Sequence, residues 1–488
     1  MTNSTTKLVR VRLAPSPTGE DLHIGNAYTA LLNYAFAQKN HGQFIIRLED
    51  TDRTRFIEGS EQRILSSLTW LNLKYTEGPD KGGPYSPYKQ SERLDIYQKY
   101  AKELIEKGHA YYCFCTPETL TSMREEQKAL GKVPKYDRRC LALSSEEIKK
   151  RISENKNHVI RMCIPEGQTT FKDAIRGDIT IQNDQLDDQV LMKSDGFPTY
   201  HMAVVIDDHL MEITHVIRGE DWTSSTPKHV LLYQFFGWDI PVFAHTPLLR
   251  NPDRSKLSKR KNPVWVSWYR EQGFLPEAVT NYLALMGWSH PEEKEIFSIE
   301  EFSNVFTLER VQPVGPIFDI EKLKWMNGLY IRNLSDAILS DKLIEFISHA
   351  GRSLSSDQKV VIGKIVPLIK ERIKTFSEWD EIAGFFFENR LPTKEMLTPK
   401  KRNADEVTTL LSSLIEKLTA VSAWSTDAIT AASLDVGTAI GWKNSELFMV
   451  IRTAISGGSI TPPISESMEI LGKEESLDRL RKSLAMLK

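Results

Sequence analysis

The sequence predicts an α/β protein, in which a parallel-sheet domain is followed by an all-α C-terminal region. Three observations carry this expectation. Val9 to Leu13 alternates apolar and charged side chains, as a half-buried strand does. A turn stiffened by Pro15, Pro17 and Gly19 leads from it into an apolar pattern at helical spacing, namely Ala27, Ala30, Leu31, Tyr34 and Ala35. From about Leu334 onward the apolar stripes recur at helical spacing alone, and no strand-rich stretch appears.

A strand, a rigid loop and a helix in that order set backbone N–H groups and the positive end of a helix against phosphates. The loop is not of the G-x-x-x-x-G-K-[ST] type. It carries His23 just before the helix and Gly25 in the first turn. Gly25 leaves room for a flat ring to lie against the backbone. His23 can donate a hydrogen bond to a phosphate oxygen as charge builds there.

Length and composition set outer bounds. A chain of 488 residues is long enough for two to four domains. Apolar content of 40% and charged content of 26% suit a soluble globular protein. No apolar run is long enough to span a bilayer, and the N-terminus lacks an apolar signal core, so a cytoplasmic protein is expected. A net charge of −2 excludes a globally basic nucleic-acid binder, so any such contact must come from local patches. Four cysteines in this length do not make a disulfide scaffold.

Along the chain, Phe44 to Leu48 is a second strand, ending in Glu49-Asp50-Thr51-Asp52-Arg53. Acidic groups at the carboxyl end of a parallel strand point into a ligand crevice. Asp50 or Asp52 fits the N-cap of the next helix better than Glu49 does. Ser60 to Leu71 and Ser91 to Lys107 are amphipathic helices, separated by a Gly/Pro-rich stretch at Gly78 to Pro87. The region of about 90–195 reads as an insertion splitting the fold. Within it Cys113, Cys115, Tyr136 and Cys140 make a plausible zinc set of three soft ligands and one hard one, with buried reduced thiols as the alternative. Cys163 sits in an apolar strand and belongs to the core. Asp173 to Asp208 reads as short strands and turns, and a β-rich run at His215 to Trp222 ends in charge. Thr226-Pro227 opens a helix. Asn251 to Lys261 is a basic, Pro-containing loop able to close on a triphosphate.

P-S-P-T-G followed by H-I-G, then R-x-E-D-T-D, P-T-Y, D-D-H, V-I-R-G-E-D and K-L-S-K-R, closely resembles the signature series of glutamyl-tRNA synthetases, which are class I aminoacyl-tRNA synthetases. The last His of the first motif is Asn26 here, and one more residue than usual separates Gly19 from His23. The resemblance implies a Rossmann-type catalytic domain in two halves, 1–90 and 196–265, around an acceptor-end-binding insertion at 91–195. A helical stem-contact domain at 266–333 and an α-helical anticodon-binding domain at 334–488 would follow. It implies L-glutamate, ATP with Mg²⁺, and tRNA-Glu as substrates and partners, with charging of tRNA-Gln left open, in a monomer with no membrane association.

The same resemblance assigns roles. Catalysis falls to His23, Lys256 and Lys259, with no protein nucleophile. ATP contacts fall to Pro17, Thr18, Gly19, His23, Gly25, Asn26, Lys256, Ser258 and Lys259. Glutamate contacts fall to Arg12, Ala14, Ser16, Glu49, Tyr200 and Arg218, with Glu49 taking the ammonium. Two guanidiniums beside one acid suit a substrate with two carboxylates and one ammonium. Arg218 could instead pair structurally with Glu220 or Asp221. Some members carry C-x-C…C-x-H; Ala142 stands where that His would be, which leaves two readings, Tyr136 in its place or an empty site. A glutaminyl-tRNA synthetase, whose anticodon domains are β-barrels, and a non-catalytic tRNA-binding paralogue are the alternatives. Lys370, Arg372, Lys374, Arg390, Lys394, Lys400, Lys401 and Arg402 form basic clusters suited to phosphate contacts.

Overall fold

A computed structural model describes residues 7–258 and 262–487; Lys259, to which a phosphate role is assigned above, lies outside the described residues. The chain divides into two compact units, Met1–Trp268 with Val279–Asp319, and Tyr269–Ala278 with Ile320–Lys488.

In the first unit β1 (Arg10–Leu13) and β2 (Gln43–Ile46) pair in parallel, with α1 (Ile24–Lys39) as the crossover that such a pair requires. Next come α2 (Ser60–Trp70), α3 (Leu94–Glu106), β3 (Ala110–Cys113), α4 (Pro117–Ala129), α5 (Ser145–Ser153) and β4 (Val159–Met162). They are followed by β5 (Gln168–Asp173), β6 (Gly177–Gln182), β7 (Val190–Met192) and α6 (Tyr200–Leu210). The second parallel pair is β8 (His215–Gly219) with β9 (Val242–Thr246), crossed by α7 (Thr226–Phe236). β5 joins β9 in parallel through Asp173 and Phe243, and β6 lies antiparallel on its other side. β3, β4 and β7 make a separate antiparallel sheet.

The two parallel pairs adjoin at β1 and β8. The Thr214 N–H donates to the Arg10 carbonyl, and Asn33 on α1 donates to the Ile217 carbonyl. β2 therefore lies to one side of β1 and β9 to the other side of β8. This is a topological switch point, where a crevice opens beyond the carboxyl ends of the strands. The core beneath includes Ile45, Tyr97, Leu104, Met202, Val205, Val216, Val230 and Phe243.

Three local expectations are corrected. Tyr200–Leu210 is a helix, not part of a run of short strands. Met202 to Asp208 are all buried. A helix buried on every side shows neither the strand nor the helix period, and burial overrides the strand preference of Val204, Val205 and Ile206. Neither Asp50 nor Asp52 caps α2, whose N-cap is Gly59. Asp50 accepts from the Ser91 N–H and hydroxyl instead, and Asp52 from Thr54 and Arg55. The β5–β6 hairpin lies within the segment read as an insertion, yet its first strand pairs with β9.

The second unit contains helices and no strand among the described residues. Its helix starts follow ordinary capping chemistry. Ser355 with Gln358, and Asn403 with Glu406, close reciprocal capping boxes, and Ser335 and Ser425 cap with their hydroxyls. The apolar stripes seen in sequence are buried in two cores. One holds Leu343, Ile347, Ile362, Ile365, Val366 and Ile369; the other holds Leu410, Leu414, Leu418, Leu447, Val450 and Ile451. Among the basic residues singled out, Lys370, Arg390 and Arg402 are engaged in ion pairs with Asp336, Asp380 and Glu446. No helix among the described residues is long and apolar enough to cross a membrane.

Candidate active site

A cavity of about 1040 Å³ opens at the carboxyl ends of β1 and β8. It is lined by Arg12, Ala14, Ser16, Thr18, Gly19, His23, Gly25, Asn26, Glu49, Tyr200, Arg218 and Lys256, all named from sequence. Pro17 is buried outside its wall, and its carbonyl accepts the Ile57 N–H. Ser258 is exposed and also lies off the wall.

His23 is the N-cap of α1, in extended conformation, and its Nδ1 accepts the Gly25 N–H at 3.0 Å. With Nδ1 accepting, the neutral ring carries its proton on Nε2. A Cβ on Gly25 would lie 3.1 Å from His23 Nδ1, and one on Gly19 would lie 2.6 Å from the Trp265 ring. Both glycines are thus fixed by close approach within the protein itself. Trp265 meets the His23 ring edge-on, with centroids 6.0 Å apart. Two backbone hydrogen bonds fasten this loop to the segment after the basic loop, Ile24 N–H to Val264 O at 2.7 Å and Val266 N–H to Leu22 O at 3.0 Å. The buried Asp21, which sequence reasoning passed over, accepts from the Ser67 hydroxyl and the Ser267 N–H. Lys256 reaches the Asp221 carboxylate at 2.9 Å.

Two arginines of the cavity wall stand in contrasting surroundings. Arg12 donates from Nε and Nη2 to Asp208 at 2.9 and 3.1 Å, and Arg47 donates to the same carboxylate at 2.8 Å. Burial pushes Asp208 up, but the two guanidiniums outweigh it and hold its carboxyl below the ordinary range. Arg47 also donates to Glu49 at 3.3 Å. For Glu49, burial prevails over Arg47 and Arg12, and its carboxyl is pushed up to about 7.

Arg218, only 5% exposed, has no carboxylate partner among the described residues. It donates from Nε to His245 at 3.1 Å, from Nη1 to Tyr200 at 3.0 Å and from Nη2 to Thr226 at 2.8 Å; His229 Nδ1 lies 3.2 Å from both terminal nitrogens. The structural alternative for Arg218 is overturned, because Glu220 pairs with Arg176 and Arg250, and Asp221 with Lys256. Burial first, then Lys228 and Arg218, press His201 down to about 4; burial with Arg218 also lowers His229 and, against the pull of Asp173, His245. These imidazoles are neutral acceptors at neutral pH. A buried cation among neutral partners is costly unless an anion joins it. Trp222, also on the cavity wall, packs on Tyr200 with ring centroids 4.1 Å apart. The cavity wall thus carries an unneutralised guanidinium, the Glu49 carboxyl and the helix-start His23.

Away from this cavity, the sulfurs of Cys113, Cys115 and Cys140 lie within 4.8 Å of one another. Tyr136 Oη is 3.3 Å from Cys113 Sγ and 3.5 Å from Cys115 Sγ, and Cys115 and Cys140 sulfurs are 3.6 Å apart. Zinc–thiolate bonds of about 2.3 Å in a tetrahedron give sulfur–sulfur edges of about 3.8 Å. The four side chains therefore fit the ion. Hydrogen bonding from Cys140 and Tyr136 draws the Cys113 thiol toward ionisation. Cys163 is not part of the group.

A family model described as tRNA synthetases class I (E and Q), catalytic domain, matches residues 8–325, and one described as anticodon binding domain matches 339–484. The glutamate–tRNA ligase of Acinetobacter baumannii (strain AYE) is 48% identical over 98% of this chain and 94% of its own length. That of Acidothermus cellulolyticus is 48% identical over 98% and 96%. The crystal structure of a glutamate tRNA ligase from Elizabethkingia meningosepticum in complex with its amino acid superposes with a TM-score of 0.85 at 38% identity, covering 98% of this chain and all of that one. The chain belongs to the glutamate–tRNA ligase family of class I aminoacyl-tRNA synthetases.

Proposed function

We propose that this chain activates L-glutamate with ATP and transfers it to the 3′ end of tRNA-Glu, with tRNA-Gln as a second acceptor to be tested. An oxygen of the glutamate α-carboxylate attacks the α-phosphorus, the bond to the β-phosphate oxygen breaks, and pyrophosphate leaves. The terminal adenosine hydroxyl of the tRNA then attacks the glutamyl carbonyl carbon, the bond to the phosphate oxygen breaks, and AMP leaves with the hydroxyl proton taken up by its phosphate. No protein nucleophile takes part. His23 donates from Nε2 to phosphate while Lys256, with Lys259, offsets the charge of the departing pyrophosphate. Thr18, Gly19, Gly25 and Asn26 frame the nucleotide, and bound Mg²⁺ supplies further charge neutralisation at the phosphates.

Glu49 takes the substrate ammonium, and Arg12, Ala14, Ser16, Tyr200 and Arg218 surround the rest of glutamate. The observation that carries this reading is the buried Arg218 without a carboxylate partner in the same cavity as Glu49 and His23. The side-chain carboxylate of glutamate keeps its charge through both steps. Directing Arg218 at that group stabilises binding without blunting the attacking α-carboxylate. Residues 91–195 would meet the acceptor end, 266–333 the stem, and 334–488 the anticodon. Cys113, Cys115, Tyr136 and Cys140 would hold a zinc ion that fixes the fold of the acceptor-contacting segment. The protein acts as a cytoplasmic monomer in this reading.

Pyrophosphate exchange with glutamate and with glutamine, each with and without tRNA, tests the proposal. Exchange with glutamate that requires tRNA is expected. Exchange with glutamine alone, or none in any arm, overturns it; charging of the two purified tRNAs fixes the acceptor range.

A further inference from the structure

Asp173, His245 and Arg218 come from three neighbouring strands, β5, β9 and β8, with Arg218 directly opposite His245 in the parallel register. His245 Nδ1 lies 2.6 Å from Asp173 Oδ2, and the Arg218 Nε–H meets His245 Nε2 at 3.1 Å. Both the Asp173 and the His245 side chains are fully buried, and neither lines the cavity. We infer that Asp173 and His245 are a positioning pair that aims the Arg218 guanidinium at the substrate carboxylate while leaving its charge unneutralised. This rests on the assignment of Arg218 to glutamate.

A guanidinium nitrogen only donates, so His245 Nε2 must present a lone pair. The single ring proton is then on Nδ1, where Asp173 receives it. Asp173 is placed to enforce this tautomer. Its Oδ1 accepts the Ile175 and Arg176 N–H groups, and its Oδ2 also accepts the His245 backbone N–H at 3.1 Å. Every neighbour of this carboxylate is a donor, and an amide cannot satisfy them all. The other side of Arg218 follows the same pattern. Thr226 accepts from Nη2, and its own proton is shared between two acceptors at 3.0 Å, the Trp222 carbonyl and the lone pair of His245 Nε2. Were Asp173 in direct contact with Arg218, the pair would be neutral and a substrate carboxylate would gain little. The interposed imidazole transmits orientation and withholds the counter-charge.

The test is glutamate-dependent pyrophosphate exchange by the full-length enzyme with tRNA. Asp173→Asn turns its amide N–H toward His245 and forces the opposite tautomer, donor against donor. KM for glutamate should rise roughly 10- to 100-fold, the loss of one charge-assisted hydrogen bond, while KM for ATP stays within about twofold. His245→Gln supplies a neutral acceptor oxygen near the Nε2 position with no tautomer to set. Its KM for glutamate should stay within about fivefold of the native value, and Asp173→Asn added to it should change KM by less than about twofold. Independent, additive penalties, or equal rises in KM for glutamate and ATP, overturn the inference. If Asp173→Asn does not fold, His245→Ala against His245→Gln decides: equal effects overturn it, and a loss confined to Ala supports it. Retained glutamate activation in Arg218→Ala would remove the underlying assignment. Loss there with Asp173→Asn silent removes the positioning pair alone.

Discussion

Two arginines face one cavity, and their settings are opposite. Arg12 is tied through two nitrogens to Asp208, which Arg47 shares. Arg218 is held by a phenol, a hydroxyl and two neutral imidazoles. The first cluster is charge-balanced before any ligand arrives and so holds the ends of β1 and α6 together. The second carries a buried charge that an anion beside it would offset. Residue type alone would rank the two arginines alike; their counter-charges separate a cation neutralised by the protein itself from one that is not.

Four measurements would break or sharpen this contrast. Arg12→Ala leaves a buried carboxylate with one guanidinium fewer, and should destabilise the first unit by about 3–5 kcal/mol, read as a lowered thermal transition. Arg218→Ala strands no buried charge. It should cost glutamate activation about 2–5 kcal/mol in kcat/KM, with the thermal transition nearly unmoved. If the stability losses came out equal, or if Arg218→Ala kept its activity, the distinction would collapse.

Next in size is the pH response of Glu49. Its folded carboxyl is raised to about 7, from an ordinary value of 4.5. Its contribution to stability is therefore fully present below about 4.5 and is lost as pH rises through 7. Glutamate binding runs the other way, because the ammonium needs the ionised carboxylate. Affinity measured by calorimetry should fall about tenfold from pH 8 to pH 6, with proton release on binding, and Glu49→Gln should flatten the profile. The smallest effect on the cavity should come from Tyr136→Phe. It should lower zinc retention under mild chelation from about one equivalent, with KM for glutamate unchanged. A shift in that KM would link two regions that the arrangement keeps separate.

Much of the site was legible because it sits where sequence punctuation is strongest. His23 precedes a helix and follows a proline-stiffened turn, and Glu49 and Arg218 stand at the ends of apolar strands. Helical stripes gave the second unit its class. The residues that were missed depend on long-range pairing. Asp208 points to Arg12 only once Tyr200–Leu210 is a helix, and that helix is buried on all sides, so its sequence shows no period. Asp173 reaches the site because β5 joins β9 in a single parallel bridge, across a sequence distance of about 70 residues. No local pattern encodes such a register. Pro17 was read as a ligand contact because its motif is compact, yet the turn folds it under while Ser16 and Thr18 face the cavity.

The backbone stitch between Leu22–Ile24 and Val264–Val266 has its counterpart at the other stem of the basic loop, where the buried Asn251 side chain holds Ser255, Lys256 and Asn262. Fastening at both feet sets the spacing of Lys256 from the His23 loop, and a residue gained or lost between Lys256 and Val264 would strain it. Sequence drift in this stretch should therefore appear as exchange of letters at constant count.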